Sequence, residues 1–418
     1  MTDPIIIVGG GHGGTQAAAS LRQEGFEGKI VIISDEAVLP YHRPPLSKTF
    51  LKNSDDGPQL LRPDRFYQEN SIDLLLGERV DNIDRFARKV VTELGAHIRY
   101  SRLILATGAR PRRPAIDGTE LDGVFVLRGL SDALRLREAS QSVQSAVIVG
   151  GGYIGMELAH TLAALGKHVT LLEMAPRVLE RSVATAISVH ATSYARDSGI
   201  DIRTGIAIAT IEGERGRAIG VRLADGACVP ADLVILGTGV TPNVELAAAA
   251  GLEVADGIIV DTSMRTLDPR ILAIGDAARF EHWHVGRWVR LESVQNANDQ
   301  AKHAARTIVG KPSMYREVPW FWSDQGHLKL QTAGLTLDAD RQVILGTPSD
   351  NGFSVWHFAG PRLLAVDSIN RAADHMLARR LLALGINPTK QDMGGGISLL
   401  KALVTAATQS ASKPAPLN

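Results

Sequence analysis

Cysteine is almost absent from this 418-residue chain, which carries Cys228 alone. One thiol excludes an intrachain disulfide, a C-x-x-C redox pair and an iron–sulfur cluster held by this chain by itself. Cys228 follows a turn at Asp225-Gly226 in a hairpin-like stretch, and we expect it to be a packing residue. A redox couple made of protein sulfur is therefore excluded.

Long apolar runs and an excess of charge of either sign are also missing. Lys plus Arg equals Asp plus Glu at 45 each, so no global field favours nucleic acid or an acidic membrane surface. No apolar run approaches the ~18 residues of a membrane span, and a first strand starting at Pro4 leaves no room for a cleavable signal. We expect a cytoplasmic protein of two or three domains that binds neither nucleic acid nor membrane.

Glycine, with 41 residues, makes the sequence informative. Two G-x-G-x-x-G fingerprints occur, the first fingerprint at residues 9–14 and the second fingerprint at residues 150–155. In the first, Gly9 lets the backbone turn, Gly11 lets it approach a pyrophosphate, and Gly14 lets the following helix pack close to the sheet. Because helix N-termini attract phosphate charge, each fingerprint predicts a dinucleotide site.

Each fingerprint lies in a predicted strand–helix–strand unit that ends in an acid. In the first unit, apolar strands at residues 4–8 and 30–33 flank a helix at residues 15–24. Asp35 then falls where a carboxylate would accept hydrogen bonds from ribose hydroxyls, and Glu36 is a weaker candidate for that role.

The second unit repeats this plan. Its strands are predicted at residues 146–149 and 168–172, its helix runs from residue 155 to 165, and Glu173 is its terminal acid. A carboxylate at this position repels a 2′-phosphate, so we predict NADH rather than NADPH at the second site.

The two halves continue in parallel, which indicates an internal duplication. Each half passes through short β segments into an apolar strand that ends in Thr-Gly, at Thr107-Gly108 and at Thr238-Gly239. A further strand at residues 271–274 has no place in the second copy, so we expect it to return to the first. Asp276 would then lie at a strand end facing the first ligand. From Pro319 onward, short strands and a helix predict a smaller α+β domain.

Five motifs are shared with a known family: Arg43-Pro44-Pro45-Leu46-Ser47-Lys48, Ala106-Thr107-Gly108, Gly152-Tyr153-Ile154-Gly155-Met156-Glu157, Ile274-Gly275-Asp276 and Trp320-Phe321-Trp322-Ser323-Asp324-Gln325. By these motifs the chain resembles, over essentially its whole length, the FAD-dependent, NADH-linked ferredoxin reductases, which include the reductase components of aromatic-ring dioxygenases. Related disulfide reductases carry redox cysteines near the flavin, whereas this chain has Pro44-Pro45-Leu46 in the corresponding loop.

The resemblance implies an α/β fold with two Rossmann-like, glutathione-reductase-type nucleotide-binding domains, one inserted in the other, and a small α+β C-terminal domain. The implied boundaries are residues 1–112 and 246–318 for an FAD-binding domain, 113–245 for an NADH-binding domain, 319–406 for the C-terminal domain and 407–418 for a flexible tail.

The resemblance also implies the ligand at each site. FAD is expected at the first fingerprint, and the residues expected there are Gly9, Gly11, Gly13, Gly14, Asp35, Arg43, Lys48, Val80, Ala106, Thr107, Gly108, Arg128, Asp276, Val294 and Trp322. NADH is expected at the second fingerprint, and the residues expected there are Gly150, Gly152, Tyr153, Ile154, Gly155, Glu173 and Gly239. No metal site is expected.

Lys48, Tyr153 and Trp322 from these two sets, together with Glu157, are expected to act in the chemistry. Hydride transfer needs stacking and alignment more than acid–base groups. By resemblance, Lys48 is a cation near the flavin with Glu157 as its partner, Tyr153 lies near the nicotinamide or over the flavin, and Trp322 caps the flavin or the exit route of electrons. From the residues alone, Tyr153 is equally well explained by apolar packing, and Lys48 by a surface position.

The expected acceptor is a [2Fe–2S] ferredoxin that serves a cytochrome P450 or a ring-hydroxylating oxygenase, because a flavin can split a two-electron donor into single electrons. Arg62 and Lys302 are candidates for docking this acidic partner. A rubredoxin reductase or an NADH oxidase on the same scaffold, and an NADH-sensing interaction protein resembling apoptosis-inducing factor, are alternatives. A monomer or weak homodimer is expected.

Overall fold

The computed structural model describes residues 3–53, 57–350 and 352–411, which form two compact units. The first unit comprises residues 1–113, 126–138 and 238–316, and the second comprises residues 114–125, 139–237 and 317–418. The segments predicted as the NADH-binding and C-terminal domains thus lie largely in one unit, and their boundaries remain predictions.

The first unit is built on a five-stranded parallel sheet. Its strands, in spatial order, are Ile271–Ala273, Arg102–Leu105, Ile5–Val8, Ile30–Ser34 and Ile72–Leu76. The central strand is buried on both faces, which requires the continuous apolar run of a parallel sheet. The strand at residue 271 pairs with Arg102–Leu105, so the prediction that this segment returns to the first nucleotide-binding copy is confirmed.

Smaller elements surround this sheet. The helices are His12–Gln23, Thr49–Lys52, Asp64–Glu69, Glu245–Ala249 and Val294–Ile308, with 3-10 turns at Pro44–Ser47 and Gly275–Ala277. The remaining strands are Val80–Asp84, Lys89–Thr92 and His97–Arg99 in one sheet, Ala109–Pro111 and Val240–Pro242 in a pair, and Ile258–Ile259, Ala278–His282 and Arg287–Val289 in a third group. Helix Leu130–Ser142 crosses the division between the units.

The second unit contains a second parallel sheet of the same kind. Its strands, in spatial order, are Asp201–Thr204, His168–Glu173, Ser145–Val149, Leu233–Leu236 and Val124–Phe125. Helices Tyr153–Ala164 and Thr185–Asp197 follow two of these strands. Each fingerprint thus directly follows a strand of a five-stranded parallel sheet, which confirms the predicted mixed α/β fold.

An antiparallel sheet of Ile208–Glu214, Arg217–Leu223 and Cys228–Pro230 also belongs to the second unit. Its second turn forms at the predicted Asp225-Gly226, where Gly226 has a φ of +91°. The expectation that Cys228 is a packing residue is wrong: the thiol is exposed on the edge strand and lies 3.1 Å from Glu212 Oε2.

The C-terminal part of the second unit is a five-stranded antiparallel sheet covered by helices. Its strands, in spatial order, are Trp320–Gln325, Leu328–Gly334, Arg362–Ile369, Gly352–Ala359 and Arg341–Thr347, with a 3-10 turn at Pro348–Asp350. The helices are Ala372–Ala383, Lys390–Gly394 and Gly396–Ala411. The fully buried Trp356 and Phe358 pack with Leu377 and Leu381 in its core.

The predicted flexible tail overlaps the last helix. Helix Gly396–Ala411 includes residues 407–411, and its residues Leu400 and Val404 pack in the core of the C-terminal sheet. Residues 412–418 of that prediction lie outside the described residues. Within the part of the chain that the structure describes, no helix is both long and apolar enough to cross a membrane.

Candidate nucleotide-binding sites

The first fingerprint has the geometry that its glycines predict. Gly9 has a φ of +115°, and a Cβ there would lie 2.2 Å from the carbonyl oxygen of Ala106. A Cβ on Gly14 would lie 1.9 Å from the carbonyl oxygen of Gly9, so the strand and helix approach as closely as glycine allows. Gly11, by contrast, faces open space just before the helix starts at His12.

The second fingerprint repeats these features. Gly150 has a φ of +108°, and a Cβ on Gly155 would lie 2.0 Å from the carbonyl oxygen of Gly150. Gly152 again faces open space immediately before the helix Tyr153–Ala164. The open cradle beside Gly11 and Gly152, at the N-terminus of a helix in each case, fits the pyrophosphate of a dinucleotide.

The two terminal acids do not occupy equivalent positions. Val8 pairs with Ile33 in the first sheet, and Val149 pairs with Leu172 in the second. Glu173 therefore corresponds in register to Ser34, one residue before Asp35. Sequence spacing could not show this difference, because the lengths of the turns between helix and strand differ in the two copies.

Glu173 is held against the second fingerprint by its own carboxylate. Its Oε2 accepts a hydrogen bond of 2.6 Å from the amide of Gly151, and its Oε1 accepts one of 2.7 Å from the amide of Ala175. The carboxylate is thus fixed at the end of the strand beside the open cradle, where a ribose-binding acid belongs. Met174, the next residue, is 76% exposed.

Asp35 is exposed, whereas the Glu36 carboxylate is hydrogen-bonded to neighbouring side chains. Glu36 accepts a hydrogen bond from the hydroxyl of Tyr41 through Oε2 and one of 2.5 Å from Arg43 Nη2 through Oε1. Arg43 Nη1 also donates to the backbone oxygen of Arg128 at 2.8 Å. Burial by itself would lower the pKa of Arg43, but the Glu36 carboxylate raises it, so this guanidinium is firmly charged.

A second ion pair lies in the same unit. Arg128 Nη2 contacts Asp276 Oδ2 at 2.7 Å, with both side chains mostly buried. His12, inside the first fingerprint, lies against His42 with ring centroids 5.4 Å apart. Burial, His42, and the charges of Arg43 and Arg128 lower the pKa of His12 to about 3. The guanidinium groups of Arg43 and Arg128 are thus positive charges close to the first fingerprint, and each is paired with a carboxylate.

His12 also offers an unused polar atom. Its Nε2 is buried and has no hydrogen-bond partner among the described residues. A buried imidazole nitrogen without a partner is costly unless a ligand supplies one. Together with the open cradle at Gly11, this nitrogen supports a fit between the first site and a dinucleotide.

The helix Val294–Ile308 also begins near residues of the predicted first site. Ser293 caps it by accepting a hydrogen bond of 3.0 Å from the amide of Asn296. Gln300, one turn further along, accepts a hydrogen bond of 2.7 Å from the amide of Gly275, next to Asp276. Val294 is thus at the first turn of a helix that is anchored to the Gly275–Ala277 turn. Gly13 packs against the same helix: a Cβ there would lie 3.6 Å from the carbonyl oxygen of Ala297.

The Ala106-Thr107-Gly108 turn is closed by a residue that sequence analysis missed. Asn243 accepts a hydrogen bond of 2.7 Å from the Thr107 hydroxyl through its backbone oxygen, and its side-chain amide donates to the Thr107 carbonyl at 2.9 Å. Gly108 has a φ of +65°, and Gly239, with a φ of +92°, accepts the amide of Arg112 at 2.9 Å. Val80 is buried at the start of its strand.

Lys48 follows the turn Pro44–Ser47, and its ammonium donates to the carbonyl oxygen of Pro44 at 3.2 Å. The two prolines fix the backbone of this turn, so the position of Lys48 is set by local geometry. The lysine is half-buried, and its role at the flavin and the alternative surface position both remain predictions.

The other three residues expected to act in the chemistry belong to the second unit. The Tyr153 ring lies 4.4 Å from that of Phe321, and burial raises the pKa of its phenol. Glu157 is buried, and its Oε1 accepts a hydrogen bond of 2.8 Å from the hydroxyl of Ser323. The ring centroids of Trp322 and Trp320 are 5.5 Å apart. Because side chains alternate along a strand, these two rings lie on the face opposite Phe321 and Ser323.

The two candidate docking residues already have neighbours in the first unit. The Arg62 guanidinium lies 5.4 Å from the centre of the Phe66 ring. Lys302 is 57% exposed and forms an ion pair of 2.9 Å with Asp299.

Several residues that contact the predicted site residues were not found from sequence, among them Tyr41, Asn243 and Ser323. Asn243 directly follows Thr241-Pro242 after the second Thr-Gly, a signal for a turn that could have suggested it. Ser323 stands inside the shared Trp-Phe-Trp-Ser-Asp-Gln motif, but nothing local marks its hydroxyl as a donor to Glu157.

The chain has two parallel β-sheets, and each carries a glycine cradle that fits a dinucleotide. This arrangement is typical of oxidoreductases that bind two dinucleotides. Residues 3–301 match the pyridine nucleotide-disulphide oxidoreductase family and residues 320–404 match the reductase C-terminal family. The chain belongs to the pyridine nucleotide-disulphide oxidoreductases, whose members use a flavin and a pyridine nucleotide.

Individual relatives agree with this assignment. Rhodocoxin reductase of Rhodococcus erythropolis is 43% identical over 91% of this chain and 89% of its own length. A rubredoxin-NAD(+) reductase of Pseudomonas putida is 38% identical over 91% of this chain and 98% of its own length.

Solved structures are similar over nearly the whole chain. The ferredoxin reductase for the CYP199A2 system of Rhodopseudomonas palustris has a TM-score of 0.93 and 43% identity, covering 96% of this chain and all of that one. The covalent putidaredoxin reductase–putidaredoxin complex gives a TM-score of 0.93 at 39% identity, covering 97% of this chain and 99% of that one. The resemblance predicted from the motifs is confirmed.

Proposed function

We propose that this chain is an NADH:ferredoxin oxidoreductase that holds FAD at the first fingerprint and NADH at the second. The observation that carries the proposal is the pair of complete glycine cradles in a chain with a single, exposed cysteine. Similarity to reductases of small electron carriers supports a [2Fe–2S] ferredoxin as acceptor. Bound FAD would accept two electrons from NADH and release them one at a time.

The chain's own residues bind and orient the two nucleotides. At the first site, Arg43 and Arg128 supply positive charge for the pyrophosphate, and Asp276 is the acceptor for ribityl hydroxyls. At the second site, the Glu173 carboxylate, fixed by the Gly151 amide, accepts hydrogen bonds from the adenosine ribose and repels a 2′-phosphate. Asp35 remains our candidate for the ribose at the first site, because Glu36 is occupied by Arg43 and Tyr41.

Single-turnover kinetics test the proposal. The purified holoprotein is mixed with NADH in a stopped-flow instrument, and loss of flavin absorbance is followed before titration with [2Fe–2S] ferredoxins. Fast bleaching, then faster single-electron reduction of a ferredoxin than of dioxygen, is the expected result. Colourless protein that takes up no FAD, or bleaching too slow to support turnover, would defeat the proposal.

Docking of an acidic ferredoxin would use basic residues, and Arg62 and Lys302 remain our candidates. Arg62→Glu should raise the KM for ferredoxin and weaken its dependence on salt, while leaving flavin reduction by NADH unchanged. The Lys302 charge is partly neutralised by Asp299, so Lys302→Glu should have a smaller effect. Identical ferredoxin kinetics in both variants would remove these residues from the docking surface.

Rubredoxin is the second candidate acceptor, because rubredoxin-NAD(+) reductases are among the relatives at 38% identity. Parallel titrations with a rubredoxin and a [2Fe–2S] ferredoxin separate the two proposals. A kcat/KM that is higher for rubredoxin would replace the ferredoxin assignment and leave the nucleotide assignments intact.

A further inference from the structure

The helix that follows the second fingerprint is packed against a strand that lies far away in sequence. Tyr153, at the start of helix Tyr153–Ala164, contacts Phe321 with ring centroids 4.4 Å apart. Glu157, one turn later, accepts the hydroxyl of Ser323 at 2.8 Å. Both partners belong to the strand Trp320–Gln325 of the C-terminal sheet.

The two contacts form together because their spacings match. Tyr153 and Glu157 are four residues apart on a helix, which advances about 6 Å over that interval. Phe321 and Ser323 are two residues apart on the same face of a strand, which advances about 6.6 Å. A one-residue slip of the strand would turn both partners away from the helix.

The end of the strand is fixed as well. Gly326, in the turn after the strand, has a φ of +62°, and a Cβ there would lie 3.0 Å from the Tyr194 hydroxyl and 3.3 Å from His160 Nδ1. The amide of His327 donates to that hydroxyl at 2.9 Å. The turn is therefore clamped onto the helices that carry His160 and Tyr194, which leaves the strand little freedom to slide.

We propose that Ser323 and Phe321 are positioning residues of the reaction: Ser323 fixes the buried carboxylate of Glu157, and Phe321 fixes the ring of Tyr153. A buried carboxylate needs a donor, and Ser323, itself fully buried, supplies one. The C-terminal sheet thus holds two residues of the helix that follows the second fingerprint. This inference rests on the proposed function and on the expectation, from the sequence resemblance, that Glu157 and Tyr153 act in hydride transfer.

The test is a double-substitution cycle on the holoprotein, with single-turnover flavin reduction by NADH as readout. Ser323→Ala should lower the maximum reduction rate about tenfold, because a small displacement of an aligned group is costly, while the Kd for NADH changes less than about twofold. In the Glu157→Gln background, Ser323→Ala should slow the reaction no further. Ser368→Ala is the matched control: this buried serine of the same sheet donates to the backbone of Gln331 and should react at the wild-type rate.

Three results would overturn the inference. The first is a Ser323→Ala variant that reduces its flavin as fast as Ser368→Ala does. The second is a double variant that is slower than Glu157→Gln by the same factor by which Ser323→Ala is slower than the wild type. If Ser323→Ala gives no holoprotein, Phe321→Leu tests the other contact, and an unchanged Kd for NADH and unchanged rate there would count against the proposal equally. A wild-type protein whose flavin NADH does not reduce would instead refute the proposed function itself.

Discussion

At the scale of single residues, Glu173 illustrates how one side chain can serve both the fold and selectivity. Its carboxylate accepts two backbone amides, those of Gly151 and Ala175, and so completes the turn of the second fingerprint. The same negative charge disfavours a 2′-phosphate. We propose that selectivity for NADH comes from a group that the loop already needs.

Replacing Glu173 by Arg should shift nucleotide preference toward NADPH. The ratio of kcat/KM for NADPH to that for NADH should rise about tenfold or more, equivalent to ~1.4 kcal/mol, since a repulsion becomes an attraction. Met174→Arg is the matched control, because it adds the same charge at the adjacent exposed position and keeps the carboxylate. An unchanged preference for NADH in Glu173→Arg would show that this residue does not contact the ribose.

Lys48 is the residue whose charge we expect to act on the flavin. In Lys48→Met, loss of the ammonium should disfavour the electron-rich reduced flavin and lower its midpoint potential by on the order of 30 mV. Spectroelectrochemical titration measures this shift. Lys52→Met, in the exposed last position of the adjacent short helix, serves as control. If neither the potential nor the rate of reduction changes in Lys48→Met, Lys48 is not part of the site.

At the scale of secondary-structure elements, helix Thr185–Asp197 depends on a residue outside itself. Its N-cap position is Ala184, which has no side chain able to cap. The buried carboxylate of Asp367, from the C-terminal sheet, accepts the Ala184 amide at 2.8 Å and contacts His357 Nε2 at 2.9 Å. A distant strand thereby supplies the cap that the local sequence lacks.

Asp367→Ala should therefore destabilise the second unit. Removing this carboxylate takes away the partner of the Ala184 amide and of His357 Nε2, both of which are buried, and we expect this to cost about 3 kcal/mol. Chemical denaturation followed by circular dichroism measures the loss. Asp201→Ala, which removes only an exposed ion pair with Arg203, should change stability by less than about 1 kcal/mol. Equal stability of the two variants would contradict the capping role.

The same scale shows which elements could be predicted. The strands and helices around both fingerprints follow from apolar runs and required glycines, although the first helix begins at His12, three residues before its predicted start. The strand pairing at residue 271 followed from counting the strands that each copy needs. The strand register that makes Ser34, and not Asp35, the equivalent of Glu173 could not be predicted, because it depends on turn lengths that no local pattern specifies.

At the scale of the whole molecule, buried histidines make stability sensitive to acid. Burial lowers the pKa of His12 to about 3, and that of His282 and His375 to about 4. The folded-state pKa values lie below the ordinary value of 6.5, so the unfolded chain binds more protons between these limits. The stabilisation is complete above about pH 6.5 and is lost as pH falls toward 4, by about 1 kcal/mol per pH unit for each histidine.

His375→Leu should flatten this dependence by removing one of the three groups. The variant should lose about 1 kcal/mol less than the wild type for each pH unit between 6 and 5, measured by denaturant unfolding at both values. His97→Leu, at an exposed strand position, is the control and should retain the wild-type slope. A wild-type slope in His375→Leu would show that His375 already carries its proton in the folded state.

The sequence by itself determined that the chain has two strand–helix–strand units with a glycine cradle in each, because glycines, apolar strands and terminal acids act within short segments. The tertiary structure decided which distant groups contact the predicted site residues. Ser323 donates a hydrogen bond to Glu157, which is 166 residues away in sequence, and Asn243 accepts one from Thr107, which is 136 residues away. Such pairings depend on how sheets and helices pack, and packing is settled by the summed contacts of the folded core rather than by any local preference.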